Sequence, residues 1–529
     1  MSITTTSWFN RIAAAALALA AVLVSPEAHA QKATNTVVWG MVASPRHLNP
    51  AVQSGVNTME PGAQIFASPL RVNDRWELQP YLAESFKYED GNRSLVLKVR
   101  KGATFHDGKP ITSADFAFSI MAVKANHPFQ AMMEAVEKVD TPDPETAIIR
   151  LSRPHPALLL SLTSPFCPIM PKHVFDDGTD LKVHPRNSNP VGSGPFKLVE
   201  FKPGEHIILE KNKEFFLPGK PKIDRAVIRI FKDSNALALA IEAKEVHYTP
   251  FLAEITAVEK LSTVAGINVS DKGGEGIGPL TWVAFNTARE PFKDVRVRQA
   301  ISFAIDRDFI TKRLQRGRVQ IATGPIAPAS PYYTGDVERY KVDLKKSEQL
   351  LDEAGLKKGA DGIRFKTSIT VSPGGRDLGL NVAEYVKAQL KRVGIDVDVA
   401  PAADFPSWAK KVGDQDFDMT MDAVFNWGDP VVGVHRTWLS TNIRKGVVWS
   451  NTQSYANPKV DELLAKAAVE PDEAKRKALY AEFQKIIVSD APVAFINVIP
   501  YYTVTVAGLK GIPNDIWSAT SPIDDLEWE

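Results

Sequence analysis

The chain has 529 residues, 63 Lys and Arg against 62 Asp and Glu for a formal net charge of +1, and a single cysteine. This length exceeds what one hydrophobic core supports and predicts about three domains, while near-neutrality excludes the one-sided charge of a nucleic-acid binder or a polybasic membrane-surface protein. One thiol permits neither an internal disulfide nor a thiolate zinc cage, and fractions of 24% charged and 9% aromatic residues exclude global disorder.

The first element is an address. Arg11 precedes thirteen consecutive Ala, Leu, Ile or Val residues at 12–24. That run is shorter than the ~20 residues needed to cross a bilayer. It fits the apolar region of a secretory signal, with Ala28-His29-Ala30 as the small-x-small cleavage site. Cleavage after Ala30 predicts an exported, periplasmic chain. It removes Arg11 and Glu27 together, so the balance is unchanged.

Beyond the signal, residues 36–41 read as an apolar strand and 43–62 as a polar loop with turns. Residues 94–100 alternate, with Leu95, Leu97 and Val99 on one side, and predict a strand. Asp107-Gly108 marks a turn, and Thr112 or Ser113 caps a helix through Phe116 and Ile120. Further strands are expected at 196–201, 206–209 and 226–231. After about residue 290 helical text dominates. Asp294 caps a helix with the stripe Val297, Ala300, Ile301, Ala304 and Ile305. A helix at 381–393 leads through Gly394 into a strand at 395–399, and helices at 458–468 and 471–488 precede strands at 493–498 and 503–506. Helix–strand alternation predicts α/β layers.

Searching for chemistry yields little. No HExxH helix, GxSxG elbow or GxxxxGK[ST] loop occurs. The glycine cluster Gly273-Gly274-Glu275-Gly276-Ile277-Gly278 lacks dinucleotide-binding spacing and reads as a flexible turn. The histidines are scattered, so no metal site is expected, and Cys167 reads as an inert core thiol.

Five blocks in order carry a resemblance. They are Tyr81-Leu82-Ala83-Glu84-Ser85, LKVRKGATFHDGKPI at 97–111, Gly192-Ser193-Gly194-Pro195-Phe196 with Asn212 and Phe215-Phe216 beyond it, PFKDVRVRQAISFAIDR at 291–307, and the stretch 418–430. Together they resemble the family 5 extracellular solute-binding proteins of ABC importers, the peptide, dipeptide and nickel-type group. The resemblance implies an α/β, two-lobed periplasmic-binding-protein fold of class II type, enlarged by an extra subdomain. Lobe I would span 31–285 plus 500–529, with the inserted subdomain at about 72–190, and lobe II 286–499. It implies a monomeric, non-enzymatic receptor without cofactor or metal. Such a receptor captures a small peptide or peptide-like solute in the interlobe cleft and delivers it to an inner-membrane ABC permease with its ATPase subunits. No nucleic acid is involved. The alternatives are a non-peptide ligand on the same fold (an opine-like conjugate, a metal chelate or haem) and, more distantly, an exported hydrolase.

The resemblance also suggests where a ligand is held. Peptide-binding members carry an aspartate for the α-amino group four positions before the proline of a block that reads Asn426-Trp427-Gly428-Asp429-Pro430 here. Asn426 occupies that position, so the formal charge is missing; neighbouring Asp429 is the substitute candidate. Arg376, in a glycine-bearing loop, and Arg436 are candidate anchors for an anionic group. Trp427, then Trp282 and Trp408, are candidate aromatic walls. Asp107 and Arg298 of the signature blocks are expected to serve the fold.

Overall fold

The computed structural model describes residues 35–373 and 378–529. The expected export signal and Arg376 lie outside the described residues. Among the described residues, no helix is long and apolar enough to cross a membrane.

Two sheets organise the molecule. The first has seven strands in the order Ile267–Ser270, Tyr502–Val506, Tyr248–Leu252, Thr36–Met41, Arg225–Ile230, His206–Lys211 and Phe196–Lys202. Thr36–Met41 runs parallel to both of its neighbours. All six of its residues are buried, as an unbroken TVVWGM run demands of a central strand covered on both faces. The second sheet has six strands in the order Gln320–Ile321, Val493–Val498, Pro279–Phe285, Met419–Phe425, Phe365–Val371 and Ile395–Pro401. Phe365–Val371 is parallel to both neighbours, linked by the helices Leu380–Arg392 and Phe405–Gly413. A separate antiparallel sheet of four strands, Ala83–Glu89, Ser94–Val99, Thr146–Leu151 and Val136–Asp143, backs onto the helix Ser113–Asn126. That helix opens with a capping box between Thr112 and Asp115.

The polar text at 43–62 is only partly loop. Val56–Ile65 is helical despite Pro61 inside it, and nine of its ten residues are buried. Proline removes one amide from the helix ladder, but the carbonyl this leaves free belongs to exposed Asn57, where water can serve it. Burial against the core overrides the local breakers.

The boundary expected at residue 285 also moves. Pro279–Phe285 pairs on one side with Met419–Phe425 and on the other with Val493–Val498, so it is central to the six-stranded sheet. The chain therefore crosses between the sheets at 271–278 and returns at 499–501. All seven residues of this strand are buried, and a run apolar at every position but Thr281 carries no periodicity to say which sheet it joins.

The signature blocks serve the fold. Arg298 donates to the carbonyls of Phe292, Lys293, Asp490 and Ala491, tying one helix start to another helix end. Asp107 pairs with His173 Nε2 at 2.7 Å.

Candidate functional site

The strand Tyr248–Leu252, parallel to Thr36–Met41, and the strand Met419–Phe425, parallel to Phe365–Val371, meet near their carboxyl ends through Phe251, Tyr501 and Phe425. In open α/β sheets this is where ligands bind. The first crossing is the glycine cluster of the sequence. Gly273, Gly274 and Gly278 have φ of 86°, 81° and 54°, a backbone that residues with a Cβ rarely adopt. The supposed turn is therefore an interlobe crossing. Beside it lies a cavity of about 430 Å³, lined by Phe251, Glu275, Arg318 and Tyr501 among others.

The loop 426–428 is fastened to this crossing. The backbone N–H groups of Asn426, Trp427 and Gly428 donate to the carbonyls of Gly278, Ile277 and Gly276, continuing the pairing of 279–285 with 419–425. Asn426 is spent on the fold. Its Oδ1 accepts the Ala327 N–H at 2.7 Å and its Nδ2 donates to Pro325 O at 3.2 Å. Trp427, at φ 52° and 2% exposed, drives its ring across the gap against Phe129 and Phe166, both centroids at 5.9 Å. It thus locks lobe to lobe.

Asp429 does not substitute as a ligand anion. Its two oxygens receive Arg476 Nη1 at 2.6 Å and Nη2 at 2.8 Å, and Oδ1 also accepts the Val431 N–H. Burial pushes this carboxyl upward, but the guanidinium beside it holds its pKa below the usual range. Trp282 and Trp408 are also committed to packing. Trp282 packs on Trp438 and Phe495 in the core under the helices Pro458–Val469 and Glu473–Asp490. Trp408 is fully buried with Val412 and Phe417, and its Nε1 donates to Thr420. An indole on an apolar element packs inward unless the element's end is exposed.

Arg436 reaches across to the opposite lobe. Its Cζ lies 4.8 Å from the ring centroid of Phe129 in the opposite lobe, and its Nε donates to Gly433 O. Nη1 and Nη2 meet no described acceptor. Burial lowers its pKa to about 10 against the opposing pull of Asp422. Asp422 is half-buried on Met419–Phe425, and burial raises its pKa to about 7. Its Oδ1 accepts the Ala423 N–H at 2.6 Å and Trp449 Nε1 at 3.3 Å. Trp449 and Phe405, 36% and 42% exposed, stack beside it with centroids 5.3 Å apart. Phe425 meets Tyr501 edge-on at 6.0 Å, and Tyr501 stacks on Phe251 at 3.5 Å. Motif reasoning missed Asp422, Trp449, Phe129, Phe251 and Tyr501. One signal was readable: a lone charged residue in the strand text MTMDAVF.

No group of three or more His, Cys, Asp or Glu able to hold a metal occurs among the described residues. Cys167 is buried, which pushes its thiol up to about 12.

Comparison with known proteins gives the family. The model described as bacterial extracellular solute-binding proteins, family 5 Middle, matches residues 77–446. Oligopeptide-binding protein AppA of Bacillus subtilis is 25% identical over 484 residues, covering 87% of this chain and 85% of that protein. Heme-binding protein A of Haemophilus influenzae is 27% identical over 524 residues, covering 91% and 92%. The periplasmic binding protein DppA from Helicobacter pylori, solved with the peptide STSA, superposes with a TM-score of 0.79 at 25% identity, covering 93% of this chain and 98% of that one.

Proposed function

The chain belongs to the family 5 bacterial extracellular solute-binding proteins, and from that premise we propose that it is the periplasmic receptor of an ABC importer, taking a small peptide or peptide-like solute into the interlobe cleft. The observation that carries this reading is the convergence of aromatic rings from both lobes, Phe251 and Tyr501 from one and Phe425 from the other, at the carboxyl ends of the two sheets. Such walls desolvate a ligand while tolerating varied side chains. The receptor works by binding. Ligand enters the open cleft, the lobes close about the crossings, and the closed monomer docks on an inner-membrane permease whose ATPase subunits drive release. Two relatives with peptide in their names, AppA and the peptide-bound DppA, support the ligand class.

A non-peptide ligand is the second reading. It is favoured by the engagement of Asn426, where peptide receptors keep a free carboxylate, and by the relative named for haem. Calorimetry with di- to pentapeptides, haem, and opine-like and metal-chelate ligands separates the two. Peptide binding is expected, and silence to every peptide with binding of haem, an opine or a chelate would overturn the first reading.

A further inference from the structure

A second cavity, of about 360 Å³, lies within the first lobe, lined by Arg71, Ser164, Asn514, Asp515, Trp517 and Asp524 among others. Asp515 is the charge that the fold leaves open there. Its Oδ1 accepts the Trp517 and Ser518 N–H groups at 2.8 and 3.0 Å and the Ser521 hydroxyl at 2.7 Å. Its Oδ2 accepts nothing among the described residues. The other two carboxylates at the cavity have cations: Asp524 Oδ2 meets Arg71 Nη2 at 2.9 Å, and Asp525 Oδ2 meets Lys220 Nζ at 2.7 Å. Asp515 meets none within 4.0 Å among the described residues. Burial raises its pKa against the hydrogen bonds it accepts, as expected of a carboxylate short of a cation. Donors remain open beside it. Arg71 Nη1 makes no hydrogen bond among the described residues, and Nε is buried without one. An unpaired carboxylate and unused donors at one cavity favour a ligand that carries a cation and acceptor oxygens together. The described residues gather no set of three metal-binding side chains, so that cation is organic.

We propose that this cavity is a second ligand site, separate from the interlobe cleft, for an amino alcohol of about the size of an amino sugar. The ammonium pairs with Asp515 Oδ2, and the hydroxyl oxygens accept from Arg71. The volume suits this class, being at the small end of ligand pockets. The site also touches the hinge. Asp515 O and Ile516 O accept the N–H groups of Gly274 and Gly276 in the first crossing, at 3.1 and 2.8 Å. Trp517 reaches the second lobe as well, since a Cβ on Gly428 would stand 2.8 Å from its ring. An occupant fixed to Asp515 therefore steadies the strip on which the first crossing leans.

The test is calorimetry with three probes: glucosamine, glucose (which lacks the ammonium) and cyclohexylamine (which lacks the hydroxyls). Wild type is expected to bind glucosamine at least about tenfold more tightly than either of the others. Asp515→Asn keeps the oxygen that accepts from Trp517, Ser518 and Ser521, and should abolish the preference over glucose. Arg71→Lys keeps a cation facing Asp524, and should abolish the preference over cyclohexylamine. These ratios are internal to each protein, so partial unfolding of a variant does not move them. Hydrogen exchange locates the site. Glucosamine should slow amide exchange in segments 70–73 and 511–517, and at 271–278 in the crossing, in wild type but not in Asp515→Asn. Wild type that does not bind glucosamine, or ratios that survive both substitutions, would overturn the site. Protection confined to 425–436 would place the amine in the interlobe cleft and overturn it equally, while leaving the receptor reading intact.

Discussion

The carboxamide of Asn426 closes on Ala327, accepting its N–H at 2.7 Å while donating to Pro325 O on the other side. A loop of the second lobe is thereby pinned to the strand end nearest the crossing. A carboxylate at 426 could keep the first bond but not the second. Asn426→Asp is therefore expected to lower stability by about 1–3 kcal/mol, the cost of an unpaired buried polar group, with no gain in affinity for free-amine peptides. Thermal unfolding and calorimetry check both parts. A tenfold gain for free-amine peptides would mean that the new carboxylate reaches the ligand.

Arg476 and Asp429 are 1% and 2% exposed, and Tyr332 and Tyr480 complete the shell of the guanidinium. Arg476→Met leaves an uncompensated buried carboxylate and should cost about 3–5 kcal/mol. Adding Asp429→Asn should recover most of that loss. Denaturant unfolding of the two variants reads the difference, and equal loss in both would contradict the charge argument.

Trp427→Ala removes the ring that bridges the lobes. The expected outcome is a larger radius of gyration by small-angle X-ray scattering without ligand, together with the ~3–5 kcal/mol loss usual for a buried tryptophan. Unchanged scattering from the folded variant would show that Trp427 packs without holding the lobes closed.

A Cβ at Gly276 would stand 2.8 Å from the Trp517 ring and 2.9 Å from Ile516 O, closer than any real contact. Gly276→Ala should therefore spread the first crossing from the 516–518 segment. A loss of about 1–3 kcal/mol is expected, measured as a lowered midpoint of thermal unfolding. A midpoint matching wild type would mean that the segment gives way freely.

Asp422 adds a pH dependence of known sign. Its folded pKa is raised from 3.8 to about 7 by burial, with Arg436 as the charged neighbour opposing the shift. Between about pH 4 and pH 7 the folded protein keeps a proton that the unfolded chain has released. The corresponding stability is present below pH 4 and is lost as pH rises to 7. Asp422→Asn removes this loss, so the ligand-free variant should gain on wild type in thermal midpoint across that window. A constant difference from pH 4 to 7 would refute the raised pKa.

Much of the architecture was legible from local text. The capped starts at Thr112 and Asp294, the alternation at 94–99 and the amphipathic stripe from Val297 to Ala304 all encode short-range geometry that a period or a hydrogen-bonding side chain announces. The ordered blocks that carry the family resemblance belong to the same class, because residues such as Arg298 bind nearby carbonyls and helix ends wherever the fold recurs. The site was not legible in this way. Trp427, Asp429 and Trp282 sit in text that suits a cleft as well as a core, and only partners far along the chain, Phe129, Arg476 and Trp438, decide which role each takes. Which sheet Pro279–Phe285 joins was decided the same way, by pairing with strands more than 130 residues away. Secondary structure follows from neighbours in sequence, but a binding site is made of charges and rings that tertiary packing has left uncommitted, and no local pattern announces which those are.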